Sequence, residues 1–216
     1  MKFKAAIFDI DGVIIDTAHV HHLSWKELFK DYGIDFTFRD FKTKIDAMPR
    51  EKGLKKIVPH LSDEMIKKEA ERKQKFFMKF LNETDIPVFM STVKLIKDLK
   101  KRGIKTAMAS SSKNAAPILK RLGYFELFDT DARGAYVKRG KPYPDLFLKA
   151  AKKLKVKPEE CVVFEDAQKG IDAAVSAGMK SIGVKRDKDN PLKNADLIIP
   201  DLKHVSYAKI NALFKA

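Results

Sequence analysis

Four short segments of the chain carry the residues best suited to polar chemistry. Asp9 and Asp11 flank one residue and run into Gly12; Ser110, Ser111 and Ser112 follow Ala109; Lys141 precedes Pro142; Glu165 stands beside Asp166. Taken singly, each has a bland reading, because acids and serines at strand ends commonly cap helices or make turns, and a lone lysine is usually solvated. Taken together, they offer complementary parts of one reaction. Carboxylates at Asp9 and Asp166, with Glu165 as a further donor, are the hard oxygen ligands that Mg²⁺ requires. A metal beside Asp9 would keep it ionised and reduce its repulsion toward a dianionic phosphate. Ser110 and nearby backbone N–H groups can bind phosphate oxygens, and Lys141 adds positive charge where a transferring phosphoryl group spreads its own negative charge. One carboxylate can then attack as a nucleophile while its neighbour handles the proton.

For these segments to meet, the chain must place them on one rim. Phe3 to Asp9 is a short apolar run that predicts a buried parallel strand, ending at the turn signal Asp11-Gly12. After Pro87 the pattern alternates. A helix is expected from about Ser91 to Arg102, a strand from Ile104 to Ala109, a helix to Leu122 and a short strand near Leu127. A helix from about Pro144 to Leu154, a strand from Cys161 to Phe164, a helix across Ala167 to Ala177, and strands at Lys180 to Val184 and Leu197 to Ile199 complete the series. Gly103 and Gly178 sit where helix C-caps belong. Repeated β-α units predict an α/β fold: a Rossmann-like parallel sheet with helices on both faces, whose ligands bind outside the carboxyl ends of the strands. The four segments occupy such ends. Between Thr17 and about Asp85 no strand-like run occurs, and apolar residues such as Leu54, Ile57 and Leu61 recur at helical spacing. The expected organisation is a core of residues 1–16 and 87–216 with a helical domain, 17–86, inserted after the first strand.

Composition narrows the class. With 216 residues, 44% hydrophobic and 34% charged, the whole chain is expected to fold. No apolar run approaches the roughly 18 residues that span a bilayer, the start turns acidic too soon for a secretory leader, and Cys161 is alone. These features predict a cytoplasmic protein without a membrane partner; the oligomeric state is open between a monomer and a weak dimer. The net charge of +15, from 44 Lys and Arg against 29 Asp and Glu, favours anionic ligands. The basic residues are nevertheless scattered, as in Lys67, Lys68, Arg72, Lys73 and Lys75, and read as a solvated surface rather than a nucleic-acid face. Gly134 to Lys141 is superficially like a nucleotide-binding loop, but it is one residue too long and continues into Pro142. His19, His21 and His22 lack a fourth partner for zinc.

The ordered segments Asp9-Ile10-Asp11-Gly12-Val13, Ala109-Ser110-Ser111-Ser112, Gly140-Lys141-Pro142 and Phe164-Glu165-Asp166 resemble the four motifs of the haloacid dehalogenase superfamily, over nearly the entire chain. The resemblance implies Asp9 as nucleophile, Asp11 as general acid/base, and Ser110 and Lys141 as phosphate holders. It also implies a Mg²⁺ site at Asp9, Glu165 and Asp166 with the backbone carbonyl of Asp11. A true dehalogenase lacks the second aspartate, so Asp11 argues for phosphoryl transfer. The helical insertion is similar to the small cap of the β-phosphoglucomutase-like branch, as are Asp16-Thr17-Ala18-His19-Val20-His21 with Trp25, and Ser110 to Asn114. That likeness implies that His21 couples cap closure to proton transfer and that Arg50 grips a non-transferring phosphate. Ser111, Lys113 and Asn114 would line the same substrate region. Trp25, at helical spacing from His21, can face substrate or pack. One stretch departs from the pattern: where that branch's mutases have Lys-Gly-Val-Ser-Arg, this chain has Asp46-Ala47-Met48-Pro49-Arg50. The departure favours a related phosphatase, or a mutase for another substrate, and the expected activity is that of a phosphatase for a small sugar phosphate or similar metabolite. The alternative is a mutase interconverting β-glucose 1-phosphate and glucose 6-phosphate. A noncatalytic phosphate- or nucleic-acid-binding protein is a remote third reading, opposed by the presence of both Asp9 and Asp11.

Overall fold

The computed structural model describes residues 2–46, 48–133, 137–186 and 191–215, so Ala47 and Gly134 of the segments discussed above lie outside the described residues. The chain divides into two compact units, Met1–Ile15 with Val88–Ala216, and Asp16–Pro87. Among the described residues no helix is long and apolar enough to cross a membrane.

The first unit begins with β1, Ala5–Phe8, four apolar residues that are all fully buried. The second unit holds helices α1 (Ala18–Lys30), α2 (Phe38–Asp40), α3 (Arg50–Ile57) and α4 (Asp63–Glu83), with a π-helical turn at Phe41–Ile45. Local signals explain where α4 starts: the Ser62 hydroxyl accepts from the Met65 N–H, and Asp63 and Glu64 place negative charge in its first turn. Trp25, Leu28 and Phe29 of α1 pack with Phe36, Phe41, Leu54 and Ile66 in a separate apolar core.

The first unit resumes with α5 (Met90–Lys101), β2 (Lys105–Met108), α6 (Ala115–Arg121), β3 (Thr130–Asp131), α7 (Asp145–Leu154), β4 (Cys161–Glu165), α8 (Gln168–Ser176), β5 (Lys180–Val184), β6 (Leu197–Ile199) and α9 (Tyr207–Ala212). Among the described residues the strands form a six-stranded parallel sheet in the order β3-β2-β1-β4-β5-β6. β1 is therefore central, and a strand flanked by two parallel neighbours reads as a continuous apolar run because both its faces are covered. Gly103 and Gly178, at φ +74° and +70°, follow α5 and α8 in the left-handed conformation that glycine adopts at little cost.

One expected strand is displaced. Leu127 lies in a 3₁₀ turn, Phe125–Leu127, and β3 begins three residues later. The Asp129 carboxylate accepts from the Thr106 N–H at 2.7 Å, taking the edge donor of β2 that a longer β3 would have used. Strand pairing starts only at Ala107 with Thr130.

Candidate active site

Register brings the polar residues together. Phe8 pairs with Met108 on one side and Phe164 on the other, so the residues that follow leave the sheet at the same level. The ladder continues one step further: Asp9 N–H donates to the Phe164 carbonyl at 3.0 Å, and Ala109 N–H to the Phe8 carbonyl at 2.8 Å. Side chains alternate across a strand. Asp9 continues the row of Ala5 and Ile7, and Glu165 the row of Cys161 and Val163. Those rows lie on the face covered by α7 and α8, where Leu146, Phe147, Ala150 and Ala173 complete the core. Phe8 and Phe164 stack on the opposite face, with ring centroids 4.4 Å apart.

Lys141 reaches into this level from the loop before α7. Its ammonium donates to Asp9 Oδ1 at 2.5 Å and to Glu165 Oε1 at 2.8 Å, over the Phe147 ring. It is no surface lysine. Burial alone would depress its pKa, but Asp9 and Glu165 outweigh that effect, and the net displacement is upward. Lys141 thus stays charged.

Carboxylate oxygens of Asp9, Glu165 and Asp166 lie within 4.8 Å of one another. Burial drives Glu165 up; Lys141 pulls it back, Asp9 repels it, and the result is about 7. Asp166 is raised well above the ordinary carboxylate range, by burial first and then by Glu165 and Asp9. Two buried acids and a half-buried one, gathered this closely, repel one another and need compensating positive charge. An all-oxygen donor set of this kind fits a hard divalent cation and not a soft one. The Asp11 side chain is not part of the cluster; the residue is half-buried beside it, and its charge acts on Asp166.

Two glycines make room for these acids. A side chain on Gly12, which has φ +72°, would coincide with the Asp166 carboxylate; one on Gly170 would coincide with that of Glu165. Gly170 was not singled out in the sequence, although an isolated glycine inside a helical pattern was the available signal. Neither Glu165 nor Asp166 starts α8, whose N-cap is Ala167.

The serines follow β2. Ser110 is buried, and its hydroxyl accepts from the Ser112 N–H at 3.1 Å; the Ser112 hydroxyl accepts from the Asn114 N–H at 3.2 Å. They order a turn rather than cap α6, which begins only at Ala115. Ser111 and Lys113 are exposed and Asn114 is half-buried.

The candidates in the second unit form their own group. Lys73 of α4 is 1% exposed and places its ammonium 2.7 Å from His21 Nδ1. This corrects the reading of Lys73 as solvated; its exposed neighbours Lys67, Lys68 and Lys75 fit that reading. Its signal was hidden because one lysine in a lysine-rich helix is indistinguishable by composition. An ammonium can only donate, so Nδ1 accepts and the neutral ring carries its proton on Nε2. His21 is held well below its ordinary pKa by burial, then by Lys73 and Arg50. Arg50 donates to the Ala70 carbonyl at 3.2 Å and to Gln74 Oε1 at 3.1 Å, so α4 orients both Arg50 and His21. Trp25 is 3% exposed, stacks on Phe29 and lies beneath the Lys73 ammonium, and the packing reading describes its position. Asp46 bonds Lys42 at 2.5 Å.

Comparisons with known proteins agree in sequence and fold. A family model of haloacid dehalogenase-like hydrolases matches residues 3–178. The chain is 37% identical to β-phosphoglucomutase of Bacillus subtilis, across 91% of this chain and 88% of that protein. It is 34% identical to a phosphorylated carbohydrates phosphatase of Thermotoga maritima, across 83% of each. A crystal structure of β-phosphoglucomutase from Clostridium difficile superposes with a TM-score of 0.85 at 34% identity, covering 98% of this chain and 97% of that one.

Proposed function

This chain is an enzyme of the haloacid dehalogenase-like hydrolase family, and from that premise we propose that it is a Mg²⁺-dependent phosphatase of small sugar phosphates, acting through a phosphorylated Asp9. The observation that carries the reading is the contact of Lys141 with both Asp9 and Glu165 inside a cluster of carboxylates. Here an ammonium lies against a buried carboxylate at the end of a central strand, as a nucleophile facing phosphate requires.

In the proposed cycle, an Asp9 oxygen attacks phosphorus, and the bond from phosphorus to the ester oxygen breaks while Asp11 gives its proton to the leaving oxygen. Asp11, now a base, takes a proton from water as that water attacks the aspartyl-phosphate and inorganic phosphate departs. Lys141 and Ser110 hold phosphoryl oxygens through both steps. Mg²⁺, held by Asp9, Glu165, Asp166 and the Asp11 carbonyl, would neutralise charge on the phosphate. His21, Arg50, Ser111, Lys113 and Asn114 are assigned to the substrate's remaining groups, and His21 also to coupling substrate engagement with proton transfer.

The second reading is a mutase, in which a sugar hydroxyl replaces water as acceptor. The identity to the Bacillus subtilis β-phosphoglucomutase favours it. Asp46, paired with Lys42 where the mutase loop carries a lysine, favours the phosphatase, as does the Thermotoga maritima relative. The two separate in one assay: purified enzyme, Mg²⁺, β-glucose 1-phosphate and a trace of glucose 1,6-bisphosphate, with inorganic phosphate and glucose 6-phosphate followed together, alongside a panel of other sugar phosphates. Phosphate release that outpaces glucose 6-phosphate supports the phosphatase. Accumulation of glucose 6-phosphate without matching phosphate release overturns it in favour of the mutase.

A further inference from the structure

Two residues beyond β5, Arg186 turns back to the loop that carries Asp11. Its Nε donates to the Gly12 carbonyl at 2.7 Å, its guanidinium carbon lies 3.6 Å from the centroid of the Phe89 ring, and Nη1 approaches the Pro200 carbonyl at 3.5 Å. Gly12 is confined on its other sides as well. Its N–H donates to the Ile15 carbonyl at 2.8 Å, and the Asp166 carboxylate occupies the space a side chain would need. Phe89 is tied to the same stretch, since its N–H donates to the Ile14 carbonyl at 2.8 Å and Ile15 bridges Val88 in antiparallel fashion. Arg186 therefore joins the two backbone segments of that pair from one side, through a charged hydrogen bond to one and a ring contact to the other.

We propose that Arg186 is a positioning residue for phosphoryl transfer: by holding the Gly12 carbonyl against Phe89 it fixes the loop that presents Asp11 to the leaving and attacking oxygens. The inference rests on the general acid/base role of Asp11. Arginine suits the task because its planar guanidinium can stack on a ring while an in-plane N–H donates, whereas a lysine ammonium cannot stack and donate in this way. Reacting groups displaced by about 1 Å can lose on the order of 100-fold in rate, so a loop released at Gly12 should affect turnover more than substrate binding.

The test is a double-mutant cycle on Arg186→Met and Asp11→Ala, with kcat, KM and thermal midpoint measured for each. The expected result is a kcat about tenfold or more below wild type in Arg186→Met, with KM changed by no more than about twofold. In the Asp11→Ala background the same change should cost less than about twofold, because the group it positions is already gone. Arg186→Lys should fall between wild type and Arg186→Met, and it carries the cycle if the methionine variant does not fold. A lowered thermal midpoint with wild-type kcat would make Arg186 merely structural and overturn the proposal. If Asp11→Ala is slow but the Arg186 penalty persists in full beside it, the positioning role falls while the Asp11 role stands. Wild-type turnover in Asp11→Ala would remove the Asp11 role and this inference together.

Discussion

Lys141 and His21 show opposite uses of burial by ionisable groups. Lys141 remains charged because two carboxylates compensate its desolvation, and that fixed charge beside Asp9 suits a site that must receive phosphate. His21 has no such compensation. Burial disfavours its imidazolium, and Lys73 and Arg50 repel it, so the folded protein keeps the ring neutral at pH values where the unfolded chain, with an ordinary value of 6.5, takes up a proton. The sign follows: stability from this group is fully present above about 6.5 and is lost as pH falls below that, by up to about 1.4 kcal/mol per pH unit. Urea unfolding of wild type and of His21→Gln between about pH 7.5 and about 5.5 measures it. Wild type is expected to lose more stability on acidification than the variant. Equal losses in both would mean that His21 is not held neutral.

The parallel register of β1, β2 and β4 is what turns scattered motifs into a site, and Gly170 shows how far α8 takes part. Alanine has higher helix propensity than glycine by about 1 kcal/mol, so on propensity alone Gly170→Ala should stabilise α8. The added methyl group would instead occupy the place of the Glu165 carboxylate. The substitution is expected to weaken Mg²⁺ affinity at least about tenfold, read by calorimetric titration, with helix content retained by circular dichroism. Unchanged affinity would mean that Glu165 is not a ligand, or that it has room to move. Much of this layer was legible: β5 and β6 fall on the expected residues, and the polar strand ends stand where a parallel sheet puts ligands. What was not legible depends on contacts remote in sequence. Asp129 displaces β3 by bonding Thr106, Gly170 matters because of Glu165, and Lys73 is buried because His21 and the ring of Phe77 meet it. Periodicity and spacing cannot report such pairings.

Across the molecule, each unit supplies a different part of the proposed activity. The sheet unit holds a carboxylate cluster that could hold a metal, with an ammonium bound to it, and to this unit we assign the proposed phosphoryl transfer. The helical unit holds His21 and Arg50, both oriented by α4, and we propose that it takes part in the choice of substrate. A net charge of +15 favours encounter with anionic phosphate esters over neutral sugars. Every role proposed for these residues depends on Asp9 carrying a phosphoryl group during turnover. The direct measurement is rapid acid quenching during turnover of a sugar phosphate with Mg²⁺, followed by peptide mass analysis of wild type and Asp9→Asn. A phosphoryl adduct on the peptide containing Asp9, absent from Asp9→Asn together with turnover, is the predicted result. Turnover that persists in Asp9→Asn, or an adduct on another residue, would contradict the mechanism.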